Sequence, residues 1–291
     1  MDFQKFQRQL LTEIVNDSKD CFNTIEDNKE LIEHYLYDNT DAPVYVTSLV
    51  QNINDIVIFD LKKFKTLEKV LKHTSFQKVL GEFRESDVLI RACENGNKKA
   101  VDWLLTMNMN IRTTDGKGMT AFMYAVQHSD LLSVVEFLLK IADEKYLNIK
   151  DNDGNTAIFH AIKNKEVLEK MLEYKKINIY HINNNNENLF TYACKNDYVI
   201  LFNTLIKLNF DFNLCSRSGK TAAMYLEENG RHFQLKTLMN EKDIYDEYKI
   251  KTPVSVYWWN KKKVLFSFSR VVIKQFLSFV NNNGHYDVLI I

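Results

Sequence analysis

The chain has 291 residues, 45% of them hydrophobic, which is enough for one large domain or two ordinary ones. Lys and Arg number 38 and so do Asp and Glu, so no net formal charge draws it to nucleic acid or to an anionic membrane surface. The start lacks a signal-peptide run and no segment reaches the roughly 18 apolar residues of a membrane span, so an intracellular protein, cytoplasmic or nuclear, is expected.

Four cysteines, Cys21, Cys93, Cys194 and Cys215, lie far apart with no C-x-x-C pair, against both a zinc ribbon and a disulfide framework. Eight glycines and two prolines leave most turns to Asn and Asp, which tolerate left-handed backbone.

Residues 1–82 carry helical spacing in Phe3, Phe6, Leu10 and Ile14, then in Leu31, Ile32, Tyr35 and Leu36, then in Phe64, Leu67 and Leu71. They are expected to form a helical N-terminal cap. The stretch "SLVQNINDIVIFDL" (48–61) also has the look of a worn repeat, with a weak fit.

From 83 to 240 a repeat governs the sequence. "DGKGMTAFMYAVQHSD" from Asp115, "DNDGNTAIFHAIKNKE" from Asp151, "NNNNENLFTYACKNDY" from Asn183 and "SRSGKTAAMYLEENGR" from Ser216 share a plan. A small polar residue is followed three positions later by Gly118, Gly154, Asn186 or Gly219, and two later by Thr120, Thr156, Asn188 or Thr221. An earlier copy, "DVLIRACENGNKKAVDWLL", has the helices without the leading turn. Anchors at Ala92, Ala125, Ala161, Ala193 and Leu226 are spaced by 33, 36, 32 and 33 residues. The glycines allow positive φ, with Asn186 a replacement that approaches it, and the threonines stand where a side-chain oxygen accepts an orphan helix N–H.

This plan resembles the ankyrin repeat, D-x-x-G-x-T-P-L-H-x-A followed by a second helix of V-V-x-x-L-L type. Here the second helices read "AVDWLL" (100–105), "VVEFLL" (134–139), "VLEKML" (167–172), "LFNTLI" (201–206) and "QLKTLM" (234–239), and "NMNIR" (108–112) and "NFDFN" (209–213) match the family's G-A-D-V-N turn. The resemblance implies an all-α fold with short β-hairpin turns, an ankyrin-repeat α-solenoid of about five repeats behind the N-terminal cap. It also implies a protein partner on the concave face, lined by hairpin tips and first helices. The family's variable positions fall on Lys117, Met119, Asn152, Asp153, Asn155, Asn185, Glu187, Arg217 and Lys220 at the tips, and on Tyr124, His160, Tyr192 and Tyr225 in the first helices. These four rings in one register read either as binding anchors or as filler between repeats. Asn95, Asn164, Asn196 and Asn229 recur before the helix-ending turn, where capping accounts for them.

Residues 241–264 read as an insertion. Its Trp258, Trp259 and Lys261 to Lys263 suggest either stacking on single-stranded nucleic acid or a membrane interface, or tryptophans buried against the last repeats with solvated lysines; the zero net charge favours burial. Residues 265–291 read as a degenerate, truncated terminal repeat, because "NGHYDVLII" resembles the family's N-G-H-L-E-V-V-x-L-L. Its uncovered apolar flank, with Leu289, is expected to promote self-association.

No phosphate-cradling, zincin or nucleophile-elbow motif occurs, no cofactor or metal is implied, and no small-molecule substrate is evident. Asp115 and Asp151 begin equivalent turns, so a structural role is expected of them; Cys93 and Cys194 follow the repeat alanine as small core residues. The expected function is a non-catalytic adaptor or scaffold. The alternatives are the targeting or regulatory portion of a truncated multidomain enzyme, or nucleic-acid or membrane attachment through the Trp258 to Lys263 cluster.

Overall fold

A computed structural model describes the backbone of residues 2–241, 254–258 and 263–268, and the side chains of residues 2–239. The chain divides into two compact units, Met1–Leu189 and Phe190–Ile291. Among the described residues no helix is long and apolar enough to cross a membrane.

In the first unit the cap is helical as the spacing predicts. The helix Phe3–Val15 opens on Asp2, whose carboxylate accepts the Lys5 backbone N–H at 2.7 Å, and it buries Phe3, Phe6, Leu10 and Ile14 on one face. Ile32, Leu36, Leu67 and Leu71 are also buried, whereas Leu31, Tyr35 and Phe64 are partly exposed. The segment 48–61 is no worn repeat. Its residues 48–59 belong to one unbroken helix, Ala42–Phe59, with proline at its first turn. Its apolar residues Val46, Leu49, Val50, Ile53 and Val57 all face the core, leaving no position for the turn that a helix pair requires. This helix packs against Gln77–Glu85 and Val88–Glu94.

The first three repeats follow as the helix pairs Val88–Glu94 with Lys98–Thr106, Ala121–Ala125 with Leu132–Ile141, and Ala157–Ala161 with Lys165–Leu172. Ala92, Ala125 and Ala161 are fully buried at the helix contacts. The one long spacing, from Ala125 to Ala161, takes up an extra turn of helix, Glu144–Leu147, which Asp143 caps by accepting the Tyr146 N–H at 2.7 Å. Asn108 has φ 58° and supplies the left-handed residue where the family's turn has glycine.

The second unit contains the pairs Leu189–Lys195, whose first residue closes the first unit, with Phe202–Leu205, and Ala222–Glu228 with His232–Glu241. Phe190 packs on Phe202, Phe210 and Phe212, and Leu226 is as fully buried as the alanines it replaces. In the stretch expected as an insertion, Val254–Trp258 and Lys263–Phe268 pair as antiparallel strands, Val254 opposite Phe268 and Val256 opposite Phe266. The second strand crosses the boundary expected at 264. The β-branched and aromatic residues of "VSVYW" and "KVLFSF" suit strands. The surroundings of Trp258, Trp259 and Lys261 to Lys263, and the terminal repeat with its self-association, lie outside the described residues.

Candidate interaction surface

The turns that open the repeats are built alike. Asp115, Asp151, Asn183 and Ser216 donate their backbone N–H to the carbonyls of Met119, Asn155, Glu187 and Lys220, at 2.9 to 3.0 Å. Gly118, Gly154, Asn186 and Gly219 stand at φ 75°, 78°, 58° and 76°, as the sequence predicts. In the first three, one side-chain oxygen of the opening residue holds two backbone N–H groups: Asp115 those of Lys117 and Met119, Asp151 those of Asp153 and Asn155, Asn183 those of Asn185 and Glu187, at 2.8 to 3.0 Å. The structural role expected of Asp115 and Asp151 therefore holds.

The ring nine positions on closes the other side of the turn. Tyr124 donates its hydroxyl to Asp115 Oδ2 at 2.7 Å, His160 Nε2 lies 2.8 Å from Asp151 Oδ2, and in the second unit the Tyr225 hydroxyl lies 3.0 Å from Ser216 Oγ. Each ring ties a first helix to its own hairpin. Burial would raise both carboxyls. At Asp115 the bonds from Tyr124 and from the Met119 and Lys117 amides outweigh it and hold the group below its ordinary value; at Asp151, His160 and Asn155 do the same. The Tyr124 hydroxyl is pushed up by burial and by Asp115.

Neighbouring tips in the first unit are stitched together. The Asn152 backbone N–H donates to Lys117 O and its Nδ2 to Gly116 O, both at 3.0 Å; Asn184 repeats the pattern one turn on, with its N–H to Asp153 O at 3.0 Å and Nδ2 to Asn152 O at 3.1 Å. Beneath the tips a polar chain crosses repeats: Asn155 Nδ2 donates to Asp151 Oδ2 at 3.4 Å, and Asn183 Nδ2 donates both to Asn155 Oδ1 at 2.9 Å and to Glu187 Oε2 at 3.0 Å.

These bonds sort the candidate residues. Lys117, Asn152, Asp153, Asn185 and Arg217 are exposed, and Lys220, His160 and Tyr192 partly so. Met119, Tyr124, Asn155, Glu187 and Tyr225 are buried, Asn155 and Glu187 within the polar chain. Lys220 pairs with Glu228 at 2.7 Å. Between the tips of the second and third repeats an open cleft of about 410 Å³ brings together Lys117, Met119, Tyr124, Asn152, Asp153 and His160, six of the candidates. Gln127, Asp151 and Gly116 also line it. Neither the stitches nor the polar chain ending at Glu187 is legible in the sequence, since the bonded partners across repeats lie about one repeat apart and only register brings them together.

The capping assignments divide. Thr120 and Thr221 accept the N–H groups of Met123 and Met224 at 3.3 and 3.4 Å, but Thr156 does not cap: its buried Oγ1 has no partner among the described residues, because Phe159 N–H donates to the Thr156 carbonyl instead, at 3.0 Å. Asn95 and Asn196 bond back to the Arg91 and Tyr192 carbonyls at 2.8 and 2.9 Å, whereas Asn164 caps the start of the next helix by accepting from Val167 N–H at 3.4 Å. Asn229 reaches the preceding repeat at Cys194 O, 2.9 Å away. Burial pushes the Cys93 thiol up to about 12 and raises Cys194 as well, as befits small core residues.

A family model for ankyrin repeats in three copies matches residues 62–151 and 89–181, beginning ahead of residue 83 and ending before the fourth repeat. Over 166 residues the chain is 28% identical to the target of rapamycin complex 2 subunit AVO2 of Saccharomyces cerevisiae, an alignment covering 55% of this chain and 39% of that protein. Over 182 residues it is 23% identical to ankyrin repeat protein L371 of Acanthamoeba polyphaga mimivirus, covering 57% and 24%. The chain spans well under half the length of each.

Proposed function

Because the chain is an ankyrin-repeat protein, we propose that it acts as a non-catalytic adaptor or scaffold, holding a protein partner against the hairpin tips and first helices on the face that is concave in this family. The observation that carries this reading is the division of labour at the tips. The opening residues, the rings and the buried amides are used up within the repeats, while the side chains of Asp153, Asn185 and Arg217 are exposed and make no bond among the described residues, and that of Lys117 makes only an exposed contact with Glu94 at 4.0 Å. Similarity to a protein named as a subunit of a multiprotein complex supports the assembly role. The test is capture of partners by the full chain and by a triple variant, Lys117→Glu, Asp153→Lys and Arg217→Glu, followed by mass spectrometry. The variant should keep the circular dichroism spectrum of the parent and lose the partner proteins; equal capture would place the interface elsewhere.

A further inference from the structure

The turn ahead of the helix Ala222–Glu228 departs from its counterparts at the residue that opens it. Asp115 and Asp151 each use one carboxylate oxygen for two backbone N–H groups and the other for the ring nine positions on. Ser216 holds the same place with a single neutral oxygen. It accepts the Lys220 N–H at 3.3 Å, while the Ser218 N–H makes no hydrogen bond among the described residues. The Ser218 side chain makes up part of the loss. Its Oγ lies 2.8 Å from Ser216 Oγ and 3.0 Å from the Tyr225 hydroxyl, which is itself 3.0 Å from Ser216 Oγ, so three hydroxyls close on one another. Lys117, Asp153 and Asn185, which stand in the place of Ser218 in the other turns, send no side-chain bond to the residue opening their own turn; only their backbone N–H groups reach it.

This turn therefore lacks the negative charge that Asp115 and Asp151 bring to theirs, and it has cations at hand. Arg217 is exposed and makes no hydrogen bond or ion pair among the described residues, and Lys220 Nζ, paired with Glu228, lies 5.7 Å from the centre of the Tyr225 ring. We propose that Ser218 is a phosphorylation site, modified by a protein kinase that reads basic flanks. Ser216 and Tyr225 are buried, whereas Ser218 is exposed. No atom would lie within 4 Å of a Cβ at the adjoining Gly219, so this tip has room to open into a kinase cleft. The Ser218 hydroxyl oxygen bonds to the γ-phosphorus of ATP, the bond from that phosphorus to the ADP oxygen breaks, and the hydroxyl proton passes to the kinase's base. A free anion would have to break the closed ring of hydroxyls. A phosphate on Ser218 instead removes one of the three hydroxyl protons and adds acceptor oxygens, to which Ser216 and Tyr225 donate and Arg217 offers its planar fork. The modified turn regains the charge that the aspartates supply elsewhere.

This site stands apart from the identity of any partner. Its test uses a basophilic serine kinase that modifies Ser218 in a synthetic peptide of residues 211–225, applied with ATP and magnesium to the full chain, with mass spectrometry to locate the phosphate. The folded chain should take one phosphate at Ser218, at a rate within about tenfold of the peptide's, and Ser218→Ala should take none in this turn. Phosphorus NMR of the product then reports whether the phosphate is held. Its titration midpoint should fall below the value of about 6 for a free phosphoserine, because the donors favour the dianion, and should return toward it in Arg217→Gln combined with Tyr225→Phe. A peptide that no basophilic kinase modifies at Ser218, or a folded chain that resists the kinase accepting the peptide, would overturn the site. So would phosphate placed on other residues only, or a midpoint near that of free phosphoserine that the double variant leaves unmoved.

Discussion

Gly154 and Gly219 hold the same place in equivalent turns, at φ 78° and 76°, yet differ in what stands over them. A Cβ at Gly154 would come within 2.7 Å of the Asn184 backbone nitrogen, whereas at Gly219 nothing lies within 4 Å. Gly219→Ala should therefore cost only the backbone strain, about 1 kcal/mol, and Gly154→Ala about 2 to 4 kcal/mol, because the next tip must also move. Urea midpoints would check this, and equal shifts would mean that the tips do not stack. Asp151 supports a second prediction at this scale. Its folded value lies below the unfolded one near 3.9, so its contribution is present above that pH and is lost as the pH falls through the lower folded value. Asp151→Asn keeps an oxygen for the two amide N–H groups but gives up the acceptor for His160 and Asn155. It should lose about 1 to 2 kcal/mol at neutral pH, with the gap closing in acid; a gap that stays constant from pH 7 to about 3 would exclude the carboxylate charge as its source.

At the level of the hairpin, stacking of tips depends on Asn152 and Asn184 donating to carbonyls of the preceding turn. Asn184→Asp would replace a donor by an acceptor facing the Asn152 carbonyl, so it should destabilise the first unit more than Asn184→Ala, which loses one bond of about 1 kcal/mol. Thermal melts of the two variants would rank them, and an aspartate milder than the alanine would contradict the stitch. The turn itself was legible in the sequence: Gly118, Gly154 and Gly219 sit at the positive φ that only their spacing had indicated, and Asn186 fills in for glycine at 58°. Asn152 was legible only as a variable tip residue, because nothing local distinguishes an amide that reaches across to another repeat from one that awaits a partner. The cap was readable where apolar spacing was clean, as in Phe3 to Ile14. It misled at 48–61, where a continuous apolar helix imitates a repeat. The strands at 254–258 and 263–268 are hard to read from sequence because each has only 5 or 6 residues and the aromatic and basic cluster between them dominates the local composition.

On the scale of the whole chain, 38 basic against 38 acidic residues leave little long-range field. Many of the charges are also paired locally, such as Arg91 with Asp55 at 2.6 Å and Lys220 with Glu228 at 2.7 Å, and salt screens exposed charges beyond about 8 Å at physiological ionic strength. Recognition through side chains at the hairpin tips acts at contact range, so it survives in such a chain, whereas a polyanion surface needs many cations acting together. The full chain should therefore pass through a heparin column at about 0.15 M salt, and partner association should fall by less than about tenfold between 0.05 and roughly 0.3 M salt. A polyanion-binding protein that neutralised several phosphates through Lys261 to Lys263 and their neighbours would do the opposite, staying on heparin at 0.15 M and losing affinity by orders of magnitude across the same range. Retention that vanished in a Lys261→Glu, Lys262→Glu, Lys263→Glu variant would move the principal interaction from the hairpin tips to the segment joining the two strands.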